Sequence, residues 1–162
     1  MPATRLTTLE QDGKAANAAA MRLCAMAAAI FPTDRNLQAA FGDALIPDLL
    51  LLALHGRRVM EGYRVVATPI ANWGFWPASR VVSSSTSNLH DFFGHVLHAT
   101  DISLGWEKFD GVIDAYRGRE CCFLGHVTLE SHSRNETYAL GAIAASFLCG
   151  VSQSLACQKE GN

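Results

Sequence analysis

From Thr137 to Cys157 the chain reads TYALGAIAASFLCGVSQSLAC, 21 positions without a charged side chain. How this stretch is read decides the fold. About 20 apolar residues suffice to cross a bilayer as a helix, so length alone allows a membrane span. Ser146, Ser152, Gln153 and Ser154 lower its hydrophobicity, however, and no basic cluster flanks it. Gly141/Ala145 and Ala142/Ser146 are small-xxx-small pairs, which let helices approach closely in soluble cores as well as in lipid. The stretch is therefore expected to be the central core helix of a folded domain. Ser133-Arg134-Asn135-Glu136 has capping-box spacing ahead of it, which predicts the longest helix from Arg134 to about Cys157 and makes Glu136 a cap partner.

Working back toward the N-terminus, most segments read as helix. Thr7-Thr8-Leu9-Glu10 is a second capping-box match before an Ala-rich run, and Pro32 closes that run; a first helix is predicted over Leu9–Ile30. Thr33-Asp34 caps a second helix carrying Leu37, Ala40, Phe41 and Ala44, which Pro47 ends or restarts. Asp48 then sits in the first turn of a third helix, at the positive end of its dipole. Leu49–Leu54 is continuously apolar, and Gly56 or Gly62 ends the third helix.

Between 63 and 82 the pattern turns strand-like around Tyr63, Val65, Val66, Val81 and Val82. The aromatic run Trp73-Gly74-Phe75-Trp76 is expected in the core, and Ser83–Ser87 reads as a loop. A fourth helix is predicted over Asn88–Ile102 and a fifth from Glu107 to about Arg117. Cys122–His132 fits a short strand or a helix. The expectation for residues 1–162 is a single, mainly α, compact multi-helix domain with small β elements near 63–82 and 122–132.

Composition bounds the partners. Of 162 residues, 49% are apolar and 17% charged, against roughly 25% charged in an average domain. That leaves surface for a partner or a second copy, so a homo-oligomer fits. Net charge is −2 with a pI near 6.3, which leaves no basic field for nucleic acid. Residues 1–81 carry 8 Lys+Arg against 6 Asp+Glu, and 82–162 carry 5 against 9, a split that favours complementarity inside the domain. Five cysteines form no CxxC pair. With no clear signal peptide at the N-terminus, this favours reduced thiols and the cytoplasm.

The candidate chemistry lies in Asn88–Thr100, NLHDFFGHVLHAT. On a helix of about 3.6 residues per turn, Asp91, His95 and His98 fall at i, i+4 and i+7 on one stripe, with Asn88 one turn before. Phe92, Phe93, Val96, Leu97 and Ala99 occupy the other side, and His90 points off the stripe. Gly94 costs about 1 kcal/mol of helix propensity, which asks for a local reason such as close approach of another backbone. If Cys122–His132 is a strand, alternation puts His126, Thr128, Glu130 and His132 on one face and Phe123, Val127 and Leu129 on the other.

Two stripes facing each other would gather imidazoles and carboxylates around one centre. Asp91, His95, His98, His126 and His132 are then the candidate ligands of a zinc or iron ion. Asp91, His95, His98 and Glu130 are the candidate catalytic groups, moving a proton to or from a bound water or substrate. A solvated face explains the helix stripe equally well, and no HExxH, GxGxxG, P-loop or GxSxG motif is present. Cys121 or Cys122 with His126 makes a weaker nucleophile–base pair. His55 reads as a helix-end residue. The sequence thus points to a small metal-dependent or His/Asp acid–base enzyme, a hydrolase among the options, acting on a small molecule. The alternatives are a helical interaction or oligomerisation protein that binds a protein partner, and a membrane protein inserting 137–157.

Overall fold

The computed structural model describes residues 3–70, 88–109 and 120–155. The aromatic run at 73–76, the valines at 81 and 82, the serine loop at 83–87 and most of the expected fifth helix lie outside these residues. Within them the chain is mainly helical, joined by a small antiparallel sheet.

Helix α1 (Ala3–Ala27) begins earlier than its capping box predicts and ends three residues sooner. Ile30 and Phe31 leave the helix because they find cross-strand partners. With Pro32 they form β1 (Ile30–Pro32), paired to Phe123, Cys122 and Cys121. Helix α2 (Arg35–Tyr63) is one continuous 29-residue helix, where the sequence suggests two. Asp34 caps it, accepting from the Asn36 and Leu37 amides. Pro47 lies inside it on the exposed side. An interior proline costs about 3 kcal/mol, but Leu45, Leu49, Leu52, Val59 and Met60 on both sides of it are fully buried, and that burial outweighs the loss. Gly56 and Gly62 are both interior; the helix ends at Arg64 in a left-handed conformation, φ 61°.

The two long helices lie against each other. Ala16, Ala19, Ala20 and Leu23 of α1 are wholly buried, small side chains that permit a close helix pair. Arg22 bridges to Asp48 with Nε–Oδ2 2.8 Å and Nη2–Oδ1 2.6 Å. Asp48 is thus a mid-helix ion-pair residue and not a first-turn one. Asp12 of α1 is buried and meets His55 Nδ1 at 2.6 Å, so His55 also serves the helix pair.

Helix α3 (Leu89–His98) is shorter than predicted, because Asp101 and Ile102 belong to β2 (Asp101–Phe109). Glu107–Phe109 is therefore strand where a fifth helix was expected. Ile102, Leu104 and Trp106 alternate onto the core, paired with Leu129, Val127 and Leu124 of β3 (Cys121–Glu130). This period of two overrides the helical reading. The strand order is β1-β3-β2, with β4 (Asn135–Tyr138) on β3.

The uncharged stretch also departs from expectation. Asn135–Tyr138 is strand, so Ser133 and Glu136 are not a capping box. The helix that follows, α4 (Leu140–Ser146), continues through a π-helical turn at Phe147–Val151 to Leu155. It packs across α1 with Leu140, Ile143, Ala144, Phe147 and Val151 buried. It is a core helix, but shorter than predicted, and α1 with α2 is the principal helix pair.

Candidate functional site

Helix α3 starts at Asn88, whose Oδ1 accepts from the Asp91 amide at 2.9 Å while its Nδ2 donates to Asp91 Oδ2 at 3.0 Å. This fixes Asp91 in the first turn, where a carboxylate favours the positive end of the helix. Leu89, Phe92, Phe93 and Val96 bury the inner face. Asp91 and His98 stay exposed, but His95 turns inward, and its side chain is 1% accessible.

Beneath it lies β4. Pairing of Val127 with Tyr138 and of Leu129 with Glu136 puts both β4 side chains on the core face of the sheet. Tyr138 Oη donates to Glu136 Oε2. Arg134 Nη2 donates to both Glu136 oxygens at 3.3 and 3.2 Å. His95 Nδ1 is 3.2 Å from Tyr138 Oη and 3.5 Å from Glu136 Oε2. A hydroxyl has one proton. Since Tyr138 spends it on Glu136, the oxygen accepts from His95, and the imidazole proton sits on Nδ1.

The opposite nitrogen then carries a lone pair. His95 Nε2 is buried and has no hydrogen-bond partner. Burial, and then the nearby Arg134 charge, push the His95 pKa below its ordinary value, against the opposing pull of Glu136. The ring is therefore neutral at pH 7, a base with a fixed tautomer.

Asp91, His95 and His98 line one cleft of about 290 Å³. Its other walls come from Arg57 of α2 and from Ser131, Ser133 and Arg134 in the turn joining β3 to β4. Arg57 reaches in over Gly94: a Cβ there would stand 3.1 Å from Arg57 Nη1. The neighbour at this helix-interior glycine is thus the end of a side chain and not the backbone that the sequence suggests. Arg57 Nε donates to Glu61 Oε1 at 2.9 Å, and His90 Nε2 meets the same oxygen at 2.9 Å. Arg57 first, then His90, hold the Glu61 carboxyl below its ordinary pKa. His90, off the predicted stripe, lines the cleft too.

The second predicted stripe goes elsewhere. His126 and Glu130 lie on the sheet face opposite Glu136 and Tyr138, because strand alternation assigns Val127 and Leu129 to the core. The His126 ring rests on Gly105, where a Cβ would come within 2.0 Å of its Nε2, and its Nδ1 is 4.0 Å from Glu107 Oε1. Phe123 joins that face through the bulge that leaves Gly125 without a β2 partner. His132 is exposed in the turn after β3. The two stripes therefore do not converge, and among the described residues no group of three or more His, Cys, Asp or Glu side chains is placed to hold a metal ion. The four described cysteines, Cys24, Cys121, Cys122 and Cys149, are free thiols, and burial raises the Cys24 pKa, which makes it a poor nucleophile.

Glu136 and Tyr138, the groups that orient His95, are not in the predicted set. Their signal is the alternation Glu136-x-Tyr138 just after a four-residue turn, a short hairpin pattern. No known family model, no curated protein and no solved structure matches this chain.

Proposed function

We propose that the cleft over α3 is an acid–base site in which His95 Nε2 takes a proton from a small, negatively charged substrate or from the water that attacks it. The observation that carries this reading is the buried, unpartnered Nε2 at the wall of a cleft. A buried polar atom left unpaired is costly, and a ligand that donates a hydrogen bond would satisfy it.

Arg57 and Arg134 place guanidinium groups on two walls of the cleft beside the lining carboxylate Asp91, and each is also paired to a carboxylate, Arg57 to Glu61 and Arg134 to Glu136. A small anion that brings an O–H or an acidic C–H to Nε2 and shares a guanidinium through a carboxylate or phosphate oxygen fits this arrangement. Proton transfer to Nε2 makes His95 a cation. Its Nδ1–H faces Tyr138 and, behind it, the Glu136 carboxylate, which stabilises the new charge. The reactions that fit are those begun by removing a proton: attack of water on an ester or amide, or enolisation beside a carbonyl. Because Nε2 is closed to bulk water, a side chain of the cleft wall must shift as substrate binds. His98 and Asp91 at the rim are the second proton carriers.

The test is by NMR on the uniformly nitrogen-15-labelled protein, titrated with small carboxylates, hydroxy acids and phosphate esters. Binding should shift the His95 Nε2 resonance and the Gly94 amide, and His95→Gln should abolish turnover of any substrate so found, a loss of roughly 10²–10⁴ for a general base. A His95 ring that no anion perturbs, over the full panel, would reduce it to a core histidine.

A further inference from the structure

Helix α2 carries a second feature, independent of the cleft. Leu37, Ala40, Ala44, Pro47, Leu51 and Leu54 follow one another at spacings of 3, 4, 3, 4 and 3, and every one of them is exposed. Leu37 is 47% accessible, Leu50 40%, Leu51 41% and Leu54 38%. Alternating steps of three and four hold a stripe on one side of a helix, the pattern of a helix that packs along another helix. α2 is also long and apolar enough to cross a membrane, with a mean hydropathy of 1.6 over its most apolar window, yet only 28% of that window is buried. A core helix of this composition would be covered.

The charges say by what. Two charged residues, Asp43 and Arg58, lie in the exposed sector that holds the stripe between Leu37 and Arg58. The midpoint of their positions falls between Leu50 and Leu51. If two copies of α2 cross antiparallel about a two-fold axis there, Asp43 of each copy faces Arg58 of the other. Leu50 then faces Leu51, and Pro47 faces Leu54. A two-fold interface must be self-complementary, and this order of acid, leucines and base is its own complement when reversed. A lipid surface makes no use of such symmetry. Insertion would moreover draw in α1, which is locked to the buried face of α2 by the Arg22–Asp48 pair.

We propose that the exposed face of α2 from Asp43 to Arg58 is an antiparallel homodimer interface centred between Leu50 and Leu51, with Asp43 and Arg58 paired across it. The full chain is weighed by sedimentation at a series of concentrations. The wild type should show a monomer–dimer equilibrium. Asp43→Arg and Arg58→Asp should each weaken it by about tenfold or more, since like charges then face each other, and the double exchange should restore it. Leu51→Asp should give monomer. Arg58 also stands 3.8 Å from Asp12, so helical circular dichroism accompanies each variant. If Arg58→Asp loses fold, Asp43→Arg, on an exposed site, carries the test with Leu51→Asp. A wild type that is monomeric at every concentration, or a dimer unmoved by Asp43→Arg and Leu51→Asp, overturns the proposal. So does binding to phosphatidylcholine–phosphatidylglycerol vesicles that Leu51→Asp abolishes, which would assign the stripe to lipid.

Discussion

The Tyr138 hydroxyl donates to Glu136 two positions back on the same face of β4, and by doing so it leaves only lone pairs for His95. The tautomer of a histidine on α3 is thereby set by a tyrosine and a glutamate from a strand about forty positions later in the chain. Replacing Tyr138 by Phe removes the shared atom while keeping the ring packed edge-on against Phe92. Glu136 and His95 Nδ1 would each lose a buried partner. A stability loss of about 1–3 kcal/mol is expected, read as a lower urea midpoint with an unchanged slope. A neutral result would mean that Glu136 and His95 close directly on each other across their 3.5 Å gap.

Glu136→Gln tests the electrostatic half of the same arrangement. Arg134 lowers the His95 pKa and Glu136 raises it. Without the carboxylate charge, Arg134 acts unopposed, so the His95 pKa should fall further below its ordinary value. The nitrogen shifts of His95 followed against pH give the direction. A rise would show that Arg134 leaves the ring's vicinity once its partner is gone.

That Asp91, His95 and His98 border one cleft was legible because they lie within one helix at spacings of four and three; that His95 is buried while the other two are exposed was not. Nor were the partners of His95. Glu136 sits in a four-residue strand whose alternation is too brief to outvote a capping-box match and the 21 uncharged positions from Thr137 onward. Arg57 is drawn to the cleft by tertiary packing of α2 on α3, for which no local pattern exists. The same limit explains Pro47: a local rule breaks the helix there, while leucines buried on either side of it hold the helix together. Reading Cys122–His132 as a strand placed His126, Thr128 and Glu130 together, and that alternation is what sends His126 and Glu130 away from His95.

Stability should depend on pH through His95. Its folded-state pKa is lowered, chiefly by burial, while the unfolded chain binds a proton near the ordinary value of about 6.5. The unfolded state therefore holds more protons once pH drops below that value, and stability falls as pH goes from about 6.5 down to the folded pKa. Above it the contribution is constant. Urea unfolding of the wild type and of His95→Gln across this window should show a slope difference of that sign. The other histidines, including those paired with Asp12 and Glu61, are common to both proteins and cancel. Parallel curves would place His95 in water.

Gly94→Ala separates folding from binding at the cleft. A helix-interior glycine costs about 1 kcal/mol against alanine, and the added Cβ meets Arg57 Nη1 at 3.1 Å. That atom ends a long, flexible side chain that is one-third accessible, so it can shift by the few tenths of an ångström required. The variant should be as stable as the wild type or more so, by up to about 1 kcal/mol. Arg57 would then sit away from the α3 backbone, and the affinity of the cleft for small anions should drop. Thermal melting and anion titration of the same sample check both halves. A destabilised variant would mean that the Arg57–Glu61–His90 linkage holds Arg57 rigidly over Gly94, in which case the cleft is closed on that side and substrate must reach His95 from the Ser131–Arg134 turn.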